Sequence, residues 1–210
     1  TCALPISQRV LVIVGWQKES VVGHISKEFP AVEFVEQSAQ LGTGHAVQQT
    51  ADALKDFSGD LLVLSGDVPL LTEKTAQALL GYHRSSGAVA SMLTAELTDP
   101  AGYGRIVRND DGSVQKIVEH KDASKQEATI KEINSGIYVF DKEKLFDCLQ
   151  QLTPANAQGE YYLTDVFGFF WQNTWKVSAV KVIDPVEVMG INDLQQLSQA
   201  RELMAARASS

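Results

Sequence analysis

The sequence predicts an α/β fold: a parallel sheet with helices on both faces, a β-rich insertion and a final helix. Two observations support this prediction. Over the first half of the chain, short apolar runs alternate with amphipathic segments, an order that is typical of sheets covered by helices. Further along, two β-rich arms flank the turn Asn109-Asp110-Asp111-Gly112, which is a strong signal for a hairpin.

The first half of the chain contains most of the predicted sheet. Strands are predicted on the short apolar runs at 9–15, 32–36, 61–65 and 88–97. Helices are predicted on the segments between and after them, near 18–29, at 42–57 and at 72–83. In the second of these helices, Ala46, Ala53 and Leu54 recur at helical spacing.

The second half adds the insertion and the end of the fold. The hairpin is predicted at 103–119, with further strands at 132–140 and 176–183 and helices at 143–152 and 161–174. From Asp193 to about Ala206 the chain is rich in Leu, Gln and Ala and contains little that would stop a helix.

Composition and charge limit the classes of function. With 210 residues, 44% hydrophobic and 21% charged, the chain can form one substantial domain, or one domain with a small appendage. The net charge of −8 argues against a broad surface for nucleic acid, so phosphates would have to be bound locally, by a metal ion or by backbone amides. Cys2 and Cys148 form no metal-ligand spacing and no disulfide framework, which fits the cytoplasm. No apolar run approaches the ~20 residues that span a membrane.

The start of the chain is unusual. It begins at Thr1 without methionine, and TCALPIS matches neither a signal peptide nor a helix start. The strand-like RVLVIVG follows at once. We therefore expect a truncated sequence in which residues 1–8 are a non-native or junction segment.

The stretch DLLVLSGDVPLL places a carboxylate directly after a predicted strand. Asp67 follows Ser65 and Gly66, at the carboxyl edge of the sheet, where ligands bind in open α/β folds. Gly66 lets a ligand approach the backbone, and a hard cation such as Mg²⁺ takes only one or two ligands from protein when phosphates and water supply the rest. Asp67 could equally cap a turn or the next helix, an interpretation that Pro69 favours.

The glycine-rich segment QLGTGHA follows a predicted strand without matching the dinucleotide fingerprint. Val47 stands where the pattern G-x-G-x-x-G needs its third glycine after Gly42 and Gly44, so a nicotinamide-dependent oxidoreductase is disfavoured. A tight turn explains the two glycines. Even so, Gly42 and Thr43 offer amides and a hydroxyl to a nucleobase, and Gln37 has a donor and an acceptor for a base edge.

Four further positions are candidates for a site, although none of them indicates a function by itself. Gly104 lies in the loop-like DPAGYGRI and could expose its amide to a substrate, whereas Glu119 ends a predicted strand, where a lone glutamate is usually solvated. Asn134 stands inside a predicted strand, where asparagine is depleted and its presence needs a reason. Asn192, in GIND, suits the N-cap of the last helix.

A set of segments together indicates a family: LGTGHAVQQ, SGDVPLL, DPAGYGRIVR, IVEHKDA, EINSGIYVF, NAQGEYYLTD and GIND. Over roughly residues 9–205, the chain resembles the uridyltransferase domain of the bifunctional N-acetylglucosamine-1-phosphate uridyltransferase/glucosamine-1-phosphate acetyltransferase. QLGTGHA, GYGRI, IVEHKDA and GEYYLTD resemble this enzyme specifically, rather than sugar nucleotidyltransferases in general.

This resemblance implies a fold and a reaction. The implied fold is a Rossmann-like nucleotidyltransferase (nucleotide-diphospho-sugar transferase) domain at 9–192, with a mixed, mostly parallel sheet and a β-rich sugar-binding insertion, followed by a linker helix at 193–210. The implied reaction transfers a uridylyl group from UTP to N-acetylglucosamine 1-phosphate, giving UDP-N-acetylglucosamine and pyrophosphate for cell-wall precursors in bacteria. The sugar phosphate attacks the α-phosphorus in line, so positioning and cations matter more than a protein nucleophile.

By matching position, the resemblance also implies site residues. Asp67 and Asn192 are implied to be catalytic and to hold Mg²⁺. The implied nucleotide site consists of Gln37, Gly42, Thr43, Ser65, Gly66 and Asp67, and the implied sugar site of Gly104, Glu119 and Asn134. Ser65 stands where the family often has tyrosine.

The chain also departs from the family. The family opens with a strand and a glycine-rich loop of the type L-x-x-G-x-G-T-R-M, which grips the triphosphate, and no such segment occurs in this sequence. We therefore expect the domain to lack that strand and loop, and the chain to be weakly active or inactive by itself. The acetyltransferase domain, through which a parent protein would form a homotrimer, is not in the sequence either.

Two alternatives remain open. One is a related sugar-1-phosphate nucleotidyltransferase that makes another UDP- or dTDP-sugar. The other is a catalytically weak fragment that binds UDP-sugars.

Overall fold

The computed structural model describes residues 6–208, a range that contains eight strands and six α-helices. The strands are β1 (Leu11–Val14), β2 (Glu33–Glu36), β3 (Asp60–Val63), β4 (Ala90–Glu96), β5 (Gly104–Arg108), β6 (Val114–Val118), β7 (Glu132–Asp141) and β8 (Val177–Lys181). The helices are α1 (Lys18–Glu28), α2 (Thr43–Gln48), α3 (Glu73–Ser86), α4 (Lys142–Leu149), α5 (Val166–Gln172) and α6 (Leu194–Ala208). None of these helices is long and apolar enough to cross a membrane. The predicted junction segment at 1–8 lies, for residues 1–5, outside the described range.

The strands form two sheets, which share no hydrogen-bonded ladder within the described range. β1 and β2 pair in parallel, and the larger sheet has the order β6-β5-β7-β4-β8, with β3 also paired to β7. β7 runs antiparallel to β3, β4 and β5, whereas β8 is parallel to β4. Four of the six strands of the larger sheet (β3, β4, β5 and β8) therefore share one direction. This confirms the predicted mixed sheet in which most strands run the same way, although β4 and β8 are the one adjacent parallel pair among its described strands.

The central position of β7 is the feature that the strand–helix alternation did not reveal. β5 pairs antiparallel with both β6 and β7, so these two strands run in the same direction on either side of it. β7 is also antiparallel to β3 and β4. Most neighbouring pairs of the larger sheet are antiparallel for this reason.

Apolar side chains cover both faces of the larger sheet. On one face, neighbouring rings among Tyr138, Phe140, Phe167 and Phe170 have centroids 5.3 to 6.1 Å apart, a spacing at which aromatic pairs add to the stability gained from burial. On the other face, α3 packs against the sheet and Leu79 is fully buried. By contrast, α1 has no buried residue. The best-packed part of the chain is therefore the larger sheet with its helices.

The helix expected at 42–57 is shorter in the structure. α2 ends at Gln48, and turns follow through residue 56. The Thr50 hydroxyl donates to the Val47 carbonyl oxygen over 2.7 Å. Such a local bond competes with regular helical hydrogen bonding.

The helix expected at 161–174 also begins later than predicted. Tyr162 has extended backbone, and a 3₁₀ turn at Leu163–Asp165 precedes α5. The residues before α5 therefore form an extended segment and a 3₁₀ turn. This part of the chain contacts the site described next.

Candidate functional site

Gly104, Glu119 and Asn134 are brought together by strand pairing. Gly104 on β5 lies opposite Asn134 on β7, and Glu119 directly follows β6, the hairpin partner of β5. A Cβ atom added at Gly104 would stand 3.4 Å from Glu119 Oε2 and 3.5 Å from Asn134 Cβ. The missing side chain thus leaves a space bordered by the Glu119 carboxylate and by the β-carbon of Asn134. A carboxylate can accept hydrogen bonds from the hydroxyl and amide groups of a ligand.

Neighbouring side chains hold the carboxylate and the amide in place. The Thr164 hydroxyl donates to Glu119 Oε1 over 2.8 Å, and Asn134 Nδ2 donates to the Tyr138 hydroxyl over 2.6 Å. Burial raises the pKa of the Glu119 carboxyl, the Thr164 hydrogen bond lowers it, and the Asp122 charge raises it. The bond to Tyr138 also explains how a strand accommodates Asn134, which is only 8% exposed.

Gln37, Gly42 and Thr43 form a second group at the start of α2. Gln37 Nε2 donates to the Gly42 carbonyl oxygen over 3.0 Å. Gly42 has a φ angle of 112°, and a Cβ atom there would stand 2.7 Å from the Tyr161 carbonyl oxygen, so glycine is required. The Thr43 hydroxyl oxygen accepts the N–H of Leu163 over 3.0 Å, which leaves its own hydrogen available for donation.

Asp67 and Asn192 lie on either side of Gly190. A Cβ atom at Gly190 would stand 3.2 Å from Asp67 Oδ2 and 3.8 Å from Asn192 Nδ2, and both side chains are exposed. The N–H of Ile191 donates to the Asp67 carbonyl oxygen over 2.9 Å, which ties the two loops together. A half-turn of the Asn192 amide brings its oxygen to the same side.

The residues around Gly190 fit a hard divalent cation. One carboxylate and one amide oxygen are suitable ligands when phosphates and water complete the coordination shell, and Gly190 leaves the room beside Asp67. Between residues 6 and 208, no group of three or more His, Cys, Asp or Glu side chains could hold a metal ion. A cation at Asp67 and Asn192 would therefore depend on oxygen atoms from a bound substrate.

Ser65 and Gly66 connect β3 to Asp67. Ser65 Oγ lies 3.4 Å from the Gly136 carbonyl oxygen of β7, so its side chain turns towards the sheet. A Cβ atom at Gly66 would have no neighbour within 4 Å. A cavity of about 460 Å³ opens beside Gly66 and Asp67, with Arg201 of α6 in its wall.

Two side chains in this arrangement were missed by sequence reasoning. The Tyr103 hydroxyl accepts the N–H of Gly190 over 3.1 Å, across 87 positions of the chain. Thr164 reaches Glu119 across 45 positions. Both belong to segments that carried the family resemblance, but no local pattern indicates which distant residue a tyrosine or threonine will contact.

Comparison with known proteins agrees with the fold. The chain matches the family model of nucleotidyl transferases over residues 2–182. It is 48% identical to "Bifunctional protein GlmU" of Limosilactobacillus reuteri over 201 residues, which are 94% of this chain and 43% of that protein. The protein of the same name from Pelotomaculum thermopropionicum is 46% identical over 95% of this chain and 43% of its own length. The chain thus spans less than half the length of these relatives.

Solved structures show the same fold at low sequence identity. HddC from Yersinia pseudotuberculosis superposes with a TM-score of 0.64 at 19% identity, over 95% of this chain and 80% of that protein. The family match covers most of the chain, and the mixed sheet with its hairpin insertion agrees with it. The chain belongs to the nucleotidyl transferase family.

Proposed function

We propose that this domain transfers a uridylyl group from UTP to N-acetylglucosamine 1-phosphate in the presence of Mg²⁺, forming UDP-N-acetylglucosamine and pyrophosphate. The observation that carries the proposal is the space at Gly104, which is bordered by Glu119 and Asn134. A carboxylate beside a bare backbone, with an asparagine on the neighbouring strand, suits a sugar that presents both hydroxyl groups and an N-acetyl group. The GlmU relatives, at 46% to 48% identity, support the same reaction.

The roles of the site residues follow the three groups. The sugar lies against Gly104, Glu119 and Asn134. The uracil lies against Gln37, Gly42 and Thr43, with Ser65 and Gly66 along the nucleotide. Asp67 and Asn192 hold the Mg²⁺.

The reaction requires the protein to align the sugar phosphate with UTP. When bound, Mg²⁺ neutralises part of the negative charge on the phosphates, which matters in a protein of net charge −8. Gly104, Glu119 and Asn134 orient the sugar so that its phosphate oxygen faces the α-phosphorus of UTP in line with the leaving pyrophosphate. The turn at Gly42 and Thr43 fixes the other end of the nucleotide.

The proposal is tested by binding and by turnover. Calorimetry should show Mg²⁺-dependent binding of UDP-N-acetylglucosamine that is tighter than binding of UDP-glucose or dTDP-glucose. A pyrophosphate-release assay with UTP or dTTP and a panel of sugar 1-phosphates should give its highest rate, however small, with UTP and N-acetylglucosamine 1-phosphate. Tighter binding of another sugar nucleotide, or binding of none, would overturn the proposal.

A further inference from the structure

The segment Tyr161–Thr164, called here the 161–164 segment, touches both ends of the proposed site. At one end it holds the turn Leu41–Gly44. Tyr161 exchanges two main-chain hydrogen bonds of 2.7 and 2.8 Å with this turn, and the N–H of Leu163 donates to the Thr43 hydroxyl over 3.0 Å. These contacts use the backbone of the segment, so they do not depend on the side chains of residues 161–164.

At its other end, the segment contacts Glu119, one of the three residues proposed to bind the sugar, through one side chain. Thr164 is 8% exposed, and its hydroxyl donates to Glu119 Oε1 over 2.8 Å. The second oxygen, Oε2, is the atom that borders the space at Gly104. A carboxylate is planar, so fixing one oxygen sets the direction in which the other accepts hydrogen bonds.

We propose that Thr164 is a positioning residue for Glu119, and that the 161–164 segment thereby aligns the sugar end of the site with the nucleotide end. The inference rests on the proposed function, because it assumes that Glu119 binds the sugar. Thr164 itself need not touch the ligand. Its hydroxyl keeps Oε2 of Glu119 directed at the space beside Gly104.

The surroundings of Glu119 make this contact important for its charge as well. Among the groups whose pKa is shifted, those that interact with Glu119 are the carboxyls of Asp122 and Asp165 and the phenols of Tyr138 and Tyr162. None of these groups brings positive charge. The donation by Thr164 therefore opposes burial and helps to keep Glu119 ionised.

The experiment compares Thr164→Val, which keeps the shape but removes the hydroxyl, with Thr164→Ser, which keeps the hydroxyl. In the full chain, Thr164→Val should weaken binding of UDP-N-acetylglucosamine about tenfold, the size of a lost hydrogen bond to a charged group. Its affinity for UDP should stay unchanged, because the backbone bonds to the turn remain. In ¹³C NMR titrations of the Glu119 carboxyl, assigned with Glu119→Gln, the pKa should rise in the valine variant. Thr164→Ser should restore both values.

The outcomes are distinct. If Thr164→Val leaves both the affinity for UDP-N-acetylglucosamine and the Glu119 pKa unchanged, the positioning role is wrong. Equal losses of affinity for UDP and UDP-N-acetylglucosamine, with no change in the Glu119 pKa, would show a merely structural residue and would also overturn it. If the unmodified chain binds neither ligand, the proposed function fails, while the NMR titration still decides whether Thr164 controls the carboxylate.

Discussion

Asp67 combines an exposed carboxylate with a neighbour, Gly190, that leaves room beside it. We expect Asp67→Asn to weaken the Mg²⁺-dependent binding of UDP-N-acetylglucosamine at least about tenfold, because the cation loses its only charged protein ligand at this site. The free energy of unfolding should change by about 0.5 kcal/mol or less, as is usual for an exposed side chain. Calorimetry at several Mg²⁺ concentrations and urea unfolding measure the two effects.

Asp110→Asn is a matched control for this prediction. It removes the same charge from an exposed position in the β5–β6 hairpin, and it should leave the Mg²⁺ dependence as it is. If both variants weaken binding equally, the effect is one of net charge and Asp67 is not a cation ligand.

His83 makes the stability of the protein depend on pH. It is 3% exposed, with Nδ1 2.9 Å from Ser91 Oγ and Nε2 3.6 Å from Asp60 Oδ1. Burial lowers its pKa, although the charges of Asp60 and Asp141 raise it. Because the net shift is downward from 6.5, the unfolded chain takes up this proton first as the pH falls. The stability from neutral His83 is complete above about pH 6.5 and is lost progressively below it.

We therefore expect His83→Asn to lose less stability on acidification than the unmodified chain. Urea unfolding at about pH 7.5 and about pH 5.5 gives the two differences in the free energy of unfolding. The substitution itself changes the free energy of unfolding at both pH values. The two proteins are therefore compared by how much this free energy falls between them. Equal losses in both proteins would contradict the assignment of a lowered pKa to His83.

Among the elements, α3 shows which boundaries a sequence can predict. Thr72 caps the helix by accepting the N–H of Thr75, and Gly87 ends it with a φ angle of 63°. Both residue types are ordinary end signals, and the predicted helix at 72–83 agrees with the structure except for its last residues. α2 was predicted too long because, after Gln48, the N–H groups of Thr50 and Ala51 bond the carbonyl oxygens three residues back, a change that helical spacing does not reveal.

Gly81 in α3 and Gly87, which directly follows the helix, should respond to alanine with opposite signs. Gly81 is exposed inside the helix with nothing near a Cβ atom, so Gly81→Ala should stabilise the protein by about 0.5 to 1 kcal/mol. Gly87 has left-handed backbone, so Gly87→Ala should destabilise it by about 1 kcal/mol. Urea unfolding of both variants is the measurement. Changes of the same sign would be inconsistent with the helix end at Gly87.

At the scale of the whole molecule, the two sheets differ in how well they are packed. Ile133, Val139 and Phe140 of β7 are fully buried, whereas α1 has no buried residue and its sheet shares no ladder with the larger one among the described residues. Regions with few buried contacts open more often than the core. We expect amides at 11–36 to exchange with deuterium faster than those at 132–141, measured by mass spectrometry of peptides. Equal protection would show a single cooperative unit.

The sequence predicted the class of fold and indicated candidate site residues, but not how these residues are connected. The resemblance indicated Asp67, Glu119 and Asn192 as members of one site, and the structure places Asp67 beside Asn192 and Glu119 beside Gly104. The direction of β7 and the contact from Thr164 to Glu119 were not predicted. Both depend on which distant parts of the chain become neighbours, and residue spacing carries no information on that.

The 161–164 segment also has a consequence for changing substrate preference by design. The segment is hydrogen-bonded to the turn that begins at Leu41 at one end and to Glu119 at the other. Thr43 accepts a hydrogen bond from Leu163 of the same segment. A library that varies Thr43 to admit a different base therefore also alters the segment that holds the Glu119 carboxylate. Base and sugar selectivity are not independent modules in this scaffold, and residues 41–44 and 161–164 are best randomised together as one unit.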